Sequence, residues 1–449
     1  MPDTIPGIVI AAPASNSGKT VITLALLRAL TRKGHAVAAA KTGPDYIDPA
    51  FQAAACRDTC INLDPWAMTP AQIKALTTDH VKGKSKSFLM CEGVMGLFDG
   101  AANGDGSTAD LAALAGWPVV LVVDVKGQSA SAAAVISGFA NFRDDINVAG
   151  VILNRVGSGR HKQMIVDACA KHLPDLPVVG AVRRSEDLIL PERHLGLVQA
   201  GEHAELDTFL DRAADIISED VDLDALIALL GQNAGKAKKT KKPANPTPTA
   251  PVIAPLGRHV AVARDAAFAF IYPHLLDGWR AAGTKISFFS PLANEVPNPD
   301  CDAIYLPGGY PELHAKTLAA AKVFRAGMHD AAQRHVLIYG ECGGYMILGN
   351  GLVDASGTRH EMLGLLPLET SFASRRLHLG YREAQMGIPT PFGPAGMKLR
   401  GHEFHYATTL SEDGMPLCRM KTATGLDLGP AGLVDGSVFG SFFHMIAES

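Results

Sequence analysis

Two short stretches hold residue types whose spacing allows chemistry. In Ala12-Pro13-Ala14-Ser15-Asn16-Ser17-Gly18-Lys19-Thr20, a run of small residues ends in Gly-Lys-Thr. Backbone N–H groups at a helix start can cradle phosphate oxygens. A lysine there can reach the β/γ-phosphates, and a threonine hydroxyl can ligate Mg²⁺. In Gly340-Glu341-Cys342-Gly343-Gly344, a cysteine lies among glycines. Small neighbours permit a sharp strand-to-helix turn, and a helix N-terminus lowers a thiol pKa, so Cys342 is placed as a nucleophile. It needs a base, and His402, His405 and His444 follow it. Spacing alone does not choose among them; His444, after Val438-Phe439-Gly440, is placed like a base that follows its nucleophile.

The elements that position the first stretch are plain. Ile8-Val9-Ile10 is a short apolar run, and apolar residues recur at Ile22, Leu24, Leu27 and Leu30, giving strand, phosphate loop and helix. The pattern G-x-x-x-x-G-K-[ST] has glycine where this chain has Pro13. The remaining loop residues are small, and asparagine tolerates positive φ at Asn16. A βα turn without ligand is the bland reading. Gly-Lys-Thr where strand and helix signals meet favours an ATP site, with Ser15, Asn16, Ser17, Gly18, Lys19 and Thr20 around the phosphates.

Further strands end in polar residues. Residues 35–41 run into Lys41-Thr42-Gly43-Pro44-Asp45-Tyr46-Ile47-Asp48-Pro49, where Gly and two Pro argue against regular structure. Beside a phosphate loop, Asp45 and Asp48 can serve Mg²⁺ or orient a substrate. Residues 87–91 end at Glu92, in a glycine-rich stretch that reaches Asp99; an acid there supplies a metal carboxylate or a water-held base. Ser107 with Asp110 signals a helix start. Residues 118–124 are a near-continuous β-branched run of the kind buried on both faces. Val148–Leu153 leads to Asn154, a base-edge reader or a turn residue. Residues 178–182 lead to Arg183 and Arg184, a landing site for anions or a solvated loop. Alternating strands and helices give a doubly wound, mostly parallel sheet over residues 1–230. Residues 231–257 hold five Lys and five Pro and read as a linker. Residues 258–449 restart as a second α/β domain. Its strand at 303–306 enters Pro307-Gly308-Gly309, where paired glycines can present an oxyanion hole.

Composition sets bounds. The 449 residues are 47% apolar and 19% charged, with a formal net charge of −4, so neither a nucleic-acid nor an acidic-membrane surface is expected. No apolar run approaches the ~18 residues of a membrane span. The N-terminal MPDTIPG lacks a basic stretch followed by an apolar one. Seven scattered cysteines suit reduced thiols in the cytoplasm. Cys56 and Cys60, four apart, could share a helix face as buried thiols.

Together the segments APASNSGKT, KTGPDYIDP, CEGVMGLFDG, LPERHLGL, YLPGGYPE, YGECGGYMILG, GHEFHY and SFFH resemble the cobyrinate (or hydrogenobyrinate) a,c-diamide synthase family of cobalamin biosynthesis. The resemblance covers essentially the whole chain. It implies a dethiobiotin-synthetase-like ATP domain joined to a class I glutamine amidotransferase domain, and in such proteins a displaced phosphate loop makes Pro13 expected. It implies that ATP phosphorylates a corrinoid acetate carboxylate, that glutamine is hydrolysed at Cys342, and that the ammonia passes between domains to displace phosphate. Under it, Lys19 and Thr20 serve nucleotide and Mg²⁺, with Lys41 and Asn154 on the nucleotide side. Asp45, Tyr46, Asp48, Glu92 and Asp99 lie at the corrinoid and phosphoryl-transfer site, Thr20, Asp48 and Glu92 being the metal group. His444 is the base and Gly309 an oxyanion contributor. A homodimer is expected by analogy. Many class I amidotransferases close with His-x-Glu, but here Met445 and Ile446 follow His444, which leaves a Cys–His dyad or a third member from elsewhere. Two other functions fit the layout: a,c-diamidation of another tetrapyrrole such as Ni-sirohydrochlorin, and a regulatory P-loop ATPase with a relic glutaminase domain.

Overall fold

The computed structural model describes residues 5–82, 88–190, 192–193, 196–197, 205–231 and 252–449. The chain divides into two compact units, Met1–Gly100 with Gly104–Thr247, and Ala101–Asn103 with Pro248–Ser449. No helix among the described residues is long and apolar enough to cross a membrane.

The first unit runs β1 (Gly7–Ala11), α1 (Lys19–Arg32), β2 (Val37–Thr42), α2 (Ile47–Cys56), β3 (Cys60–Leu63), α3 (Pro70–Lys82), β4 (Phe88–Glu92), α4 (Thr108–Ala115), β5 (Val119–Asp124), α5 (Ser131–Asn141), β6 (Val148–Val156), α6 (Gly159–His172) and β7 (Val178–Arg183). A two-residue pair, β8 (Glu192–Arg193) and β9 (Gly196–Leu197), precedes α7 (Leu206–Asp220) and α8 (Leu223–Ala228). The sheet order is β3-β2-β4-β1-β5-β6-β7, and every pairing is parallel. Strands β1, β2 and β4 are buried throughout, which is why they read as unbroken apolar runs. With all strands parallel, β1, β2 and β4 end on one edge, and the loops beyond that edge carry the polar residues.

The second unit runs β10 (His259–Ala263), α9 (Pro273–Ala281), β11 (Lys285–Phe289), β12 (Ala303–Leu306), α10 (Ala315–Ala320), α11 (Lys322–Gln333), β13 (Leu337–Glu341) and α12 (Gly343–Leu348). It continues through β14 (Gly351–Val353), β15 (Arg359–Glu361), β16 (Leu368–Ser371), β17 (His378–Met386), β18 (Lys398–His405), β19 (Thr408–Glu412), β20 (Met415–Thr422), β21 (Asp427–Asp435), β22 (Val438–Ser441) and β23 (Phe443–Glu448). A ten-stranded sheet is ordered β11-β10-β12-β13-β22-β21-β20-β17-β18-β23. Its β11-to-β22 half is parallel and the rest antiparallel. Strands β15, β14, β16 and β19 form a smaller sheet.

Several expectations change. The segment 41–49 is regular from Ile47 onward: Pro49 lies in the first turn of α2, where a missing N–H costs nothing, and the Asp45 Oδ1 accepts from the Ile47 and Asp48 amides at 2.8 and 3.1 Å. Cys56 closes α2 while Cys60 opens β3, so they share no helix face. Arg183 is engaged with Glu219 and Asp220 of α7, which removes it as an anion landing site. Most of the 231–257 stretch, and Pro191, His194 and Leu195 of LPERHLGL, lie outside the described residues. Val252, Ile253 and Leu256, at the end of that stretch, are buried; their apolar side chains have a core to enter, and the Trp279 indole donates to the Ile253 carbonyl at 3.1 Å.

Candidate active sites

In the first unit the loop after β1 takes two left-handed residues, Asn16 (φ 64°) and Gly18 (φ 83°), before α1 starts at Lys19. The asparagine is thus used for its tolerance of positive φ. Ser17 Oγ ties the loop to the Ala14 carbonyl at 2.8 Å, and Asn154 Nδ2 holds the Ser17 carbonyl at 2.9 Å. A Cβ on Gly18 would collide with that amide. Asn154 Oδ1 accepts from the Arg155 amide. With both arms on backbone, Asn154 braces the loop.

Behind the loop lies a buried charge network. Lys41 Nζ, 2% exposed, contacts an oxygen of Asp48, Glu92 Oε1 at 3.1 Å, the Gly93 carbonyl at 3.4 Å and Asp45 Oδ2 at 3.7 Å. Thr20 Oγ1 lies 2.7 Å from Glu92 Oε1 and 3.4 Å from Asp48 Oδ2, and Lys19 Nζ lies 3.9 Å from Glu92. Burial works against the Lys41 charge, but Asp48, Glu92 and Asp45 hold its pKa well above the ordinary lysine value. Burial likewise opposes ionisation of Asp48, and the Lys41 ammonium more than offsets it. For Lys19 burial prevails and lowers the pKa.

Thr20, Lys41, Asp45, Asp48 and Glu92 therefore converge. Tyr46 is half-buried at the start of α2. Asp99 is exposed and accepts from the Gly96 amide at 2.8 Å, shaping the loop after β4. Ser15 and Asn16 are exposed at the loop tip. Two residues that the sequence did not single out complete the site. Gln52 of α2 is fully buried and donates to Glu92 Oε2 at 2.5 Å. Asn62 at the end of β3 donates to the Gly43 and Asp45 carbonyls. Asn62 follows Cys60-Ile61 and precedes Leu63-Asp64, so a polar residue at a strand end was the available signal.

In the second unit Cys342 joins β13 to α12 with φ 51° and ψ −107°, a conformation a non-glycine residue holds only where surroundings enforce it. Gly344 and Gly340 make that turn possible. A Cβ on Gly344 would strike the Leu306 carbonyl, and one on Gly340 would lie 2.5 Å from Leu348. Gly308 stands between the reactive groups: its Cβ would be 2.6 Å from His444 Cε1 and 3.2 Å from Cys342 Cβ. So His444, of the three histidines, is set beside the thiol. His402 stacks on it at 4.7 Å and 10°, with its Nε2 2.9 Å from the Tyr272 hydroxyl; His405 Nδ1 faces the Ala407 carbonyl. Gly309 packs on the Ala267 carbonyl, and its amide lies 3.1 Å from where a Gly343 Cβ would stand.

His444 Nδ1 lies 3.2 Å from Glu341 Oε1. This carboxylate was inside a motif the sequence displayed, yet its role is set by a contact across 103 positions. Burial pushes the Cys342 thiol above its ordinary value, Glu341 adding to it. Burial brings His444 down to about 3 and Glu341 up to about 8. Thiol and imidazole are thus both neutral.

Residues 8–198 match the family model of a CobQ/CobB/MinD/ParA nucleotide binding domain, and residues 259–449 that of a CobB/CobQ-like glutamine amidotransferase domain. The chain is 55% identical to the hydrogenobyrinate a,c-diamide synthase of Brucella anthropi, over 98% of each chain. It is 53% identical to that of Rhizobium meliloti, over 98% of this chain and 99% of the relative. With that of Rhodobacter capsulatus it shares 51%, over 98% of each. A phosphate loop backed by buried carboxylates and a thiol at a strained elbow, on a chain alike from end to end, place it in the hydrogenobyrinate a,c-diamide synthase family.

Proposed function

We propose that this chain is an ATP- and glutamine-dependent ligase that converts the a and c acetate carboxylates of hydrogenobyrinic acid to amides. The carrying observation is that one chain holds both the Thr20–Lys41–Asp48–Glu92 cluster beside a phosphate loop and the Cys342–His444 pair at an elbow. A relic glutaminase domain has no need to keep the second. The relatives' names favour the metal-free ring over cobyrinic acid or a nickel tetrapyrrole.

In the first unit the loop amides of residues 15–20 and the Lys19 ammonium hold the triphosphate. Lys41 neutralises charge between the γ-phosphate and the incoming carboxylate. Asp45 and Tyr46, at the start of α2, orient the corrinoid, as does Asp99. A carboxylate oxygen of the corrinoid attacks the γ-phosphorus, the bond to the bridging oxygen breaks, and ADP leaves an acyl phosphate. Ammonia then attacks the acyl carbon, expels phosphate and loses a proton to give the amide.

Mg²⁺ needs less than a full protein cage, since it is held by one or two side chains, phosphate oxygens and water. The Thr20 hydroxyl with Asp48 and Glu92 fits that demand, although among the described residues no group of three His, Cys, Asp or Glu side chains is disposed as a metal site. Bound there, Mg²⁺ would draw charge from the β- and γ-phosphate oxygens.

In the second unit His444 takes the Cys342 proton as sulfur attacks the glutamine amide carbon, with the Gly309 amide facing the developing oxyanion. The same proton goes to the leaving nitrogen, ammonia departs and a thioester remains. Water, giving a proton to His444, cleaves it to glutamate, and the proton returns to sulfur. The reading takes the enzyme as a cytoplasmic homodimer, which sedimentation checks. The direct test is mass spectrometry of hydrogenobyrinic acid after incubation with ATP, Mg²⁺, glutamine and the protein, beside cobyrinic acid and Ni-sirohydrochlorin. A product with two carboxylates amidated is expected on the first; no mass change on any of them overturns the reading.

A further inference from the structure

The base in the amidotransferase site lacks the following glutamate of a His-x-Glu ending. Met445 and Ile446 come next, both 1% exposed and apolar, and Glu448 is exposed. We propose that Glu341, the residue directly before the nucleophile, is the positioning carboxylate of His444, so that the acid and the thiol of the glutaminase site come from consecutive residues, the last of strand β13 and the first of the elbow. This inference rests on the reading of Cys342 and His444 given above.

Strand geometry makes the arrangement possible. Side chains alternate along β13: Gly340 faces Leu348 and Gly344 of α12, so Glu341 faces the opposite side of the sheet. Tyr339 shares that face, and its hydroxyl donates to Glu341 Oε2 at 3.3 Å. Tyr305, register partner of Tyr339 on β12, stacks on it at 5.7 Å and 14° and also donates to the carboxyl, as does the Met445 amide. The elbow then turns Cys342 out of the strand at positive φ. The outcome is a carboxyl and an imidazole facing each other at 3.2 Å, exposed by 1% and 0%.

A buried acid is expensive unless its partners use its charge. Both tyrosines are neutral donors, and His444 is the one group in contact that gains positive charge during the reaction. A carboxylate at Nδ1 fixes the proton there, leaves Nε2 as the basic nitrogen, and stabilises the imidazolium formed when sulfur attacks. The other groups facing His444 do not replace it. His402 stacked on its ring, itself held well below the ordinary histidine value by burial and by His444, disfavours a second positive charge. His405 acts in the same direction, and Glu403, which acts in the opposite one, is paired with Arg382 at 2.7 Å. Burial raises Glu341 to about 8, so its ionised, orienting form grows through the mildly alkaline range.

The test compares Glu341→Gln, Glu341→Asp and Glu448→Gln, each assayed for glutamine hydrolysis, for hydrogenobyrinate amidation driven by ammonium chloride, and for the rate at which a diazo-ketone analogue of glutamine labels Cys342. Glu341→Gln keeps the shape and loses the charge. The expected result is a kcat for glutamine hydrolysis lowered about 10²–10⁴-fold, slower labelling, and absence of the alkaline rise in rate near pH 8 that is expected of the intact protein from its Glu341 carboxyl. KM and ammonium-driven synthesis stay near those of the unaltered protein, which shows that the variant is folded, and Glu341→Asp recovers part of the rate. Glutamine hydrolysis by Glu341→Gln at the unaltered rate and with the unaltered pH profile overturns the inference, as does an equal loss in Glu448→Gln. If Cys342→Ala and His444→Ala also leave hydrolysis intact, it is the glutaminase site itself that was misplaced.

Discussion

The two sites handle charge in opposite ways. Around Lys41, opposite charges are packed together, a buried ammonium against the carboxylates of Asp48 and Glu92, with Asp45, raised to about 7 by burial and by Asp48, 3.7 Å away. Around Cys342, ionisable groups are equally buried but uncharged: the thiol is pushed up, His444 is brought down to about 3 and Glu341 up to about 8. Phosphoryl transfer moves negative charge that exists before and after the step, so its stabilisers can be permanent. Thiol attack creates charge only as the bond forms, and a standing ion pair in a dry pocket would leave the cysteine reactive without substrate.

Crossing the two sites gives the largest expected effects. Cys342→Ala removes glutamine-driven amidation by about 10⁴-fold or more and leaves ammonium-driven amidation intact. Asp48→Asn does the reverse, crippling amidation from either nitrogen source while glutamine hydrolysis continues. Paired assays check both, and a variant that stops both activities breaks the separation. Next comes stability: Lys41→Met leaves Asp48 and Glu92 buried without their cation and costs about 3–5 kcal/mol, read by urea titration. The same change at a neutral cluster would cost far less. Gly308→Ala should lower kcat for glutamine hydrolysis about 10²-fold, because its Cβ would stand 2.6 Å from His444.

The smallest effect is a pH effect. Burial opposes the Glu403 charge, yet His405 and Arg382 hold its carboxyl down at about 2, against 4.5 for an ordinary glutamate. A lowered folded value stabilises above the unfolded one and is lost as pH falls. Glu403 therefore contributes about 1–2 kcal/mol above roughly pH 4.5, declining toward pH 2. Glu403→Gln should flatten that limb in acid titrations of unfolding, and an unchanged limb would show that the pair carries no such linkage.

What the sequence displayed and what it hid follow the range of the contacts involved. The phosphate loop and the cysteine elbow were readable because each is made by neighbours: small residues, a left-handed asparagine, glycines where a helix meets a strand. Gln52 was not, since nothing in Ala50-Phe51-Gln52-Ala53 indicates that its amide meets Glu92 forty positions later. The same holds for Glu341 and His444. The parallel strands were legible as apolar runs, except β3, whose four residues Cys60–Leu63 are too few to stand out. The antiparallel strands after α12 were not, because β17 and β19 keep much of their length partly or fully exposed and blur the alternation a reader looks for. Short-range chemistry also misled: Pro49 and Pro44 looked like breakers, yet Pro49 lies in the first turn of a helix.

Gly308 bears on how this protein can change over generations. A glycine codon varies silently only at its third base; any coding change at the first or second base adds at least one carbon. At many glycines that carbon meets nothing or a side chain, as at Gly138, where no atom lies within 4 Å. At position 308 it meets the ring that must accept the proton. A lineage can therefore change a glycine such as Gly138 without touching the chemistry, but a change at residue 308 comes only with a loss of glutamine hydrolysis.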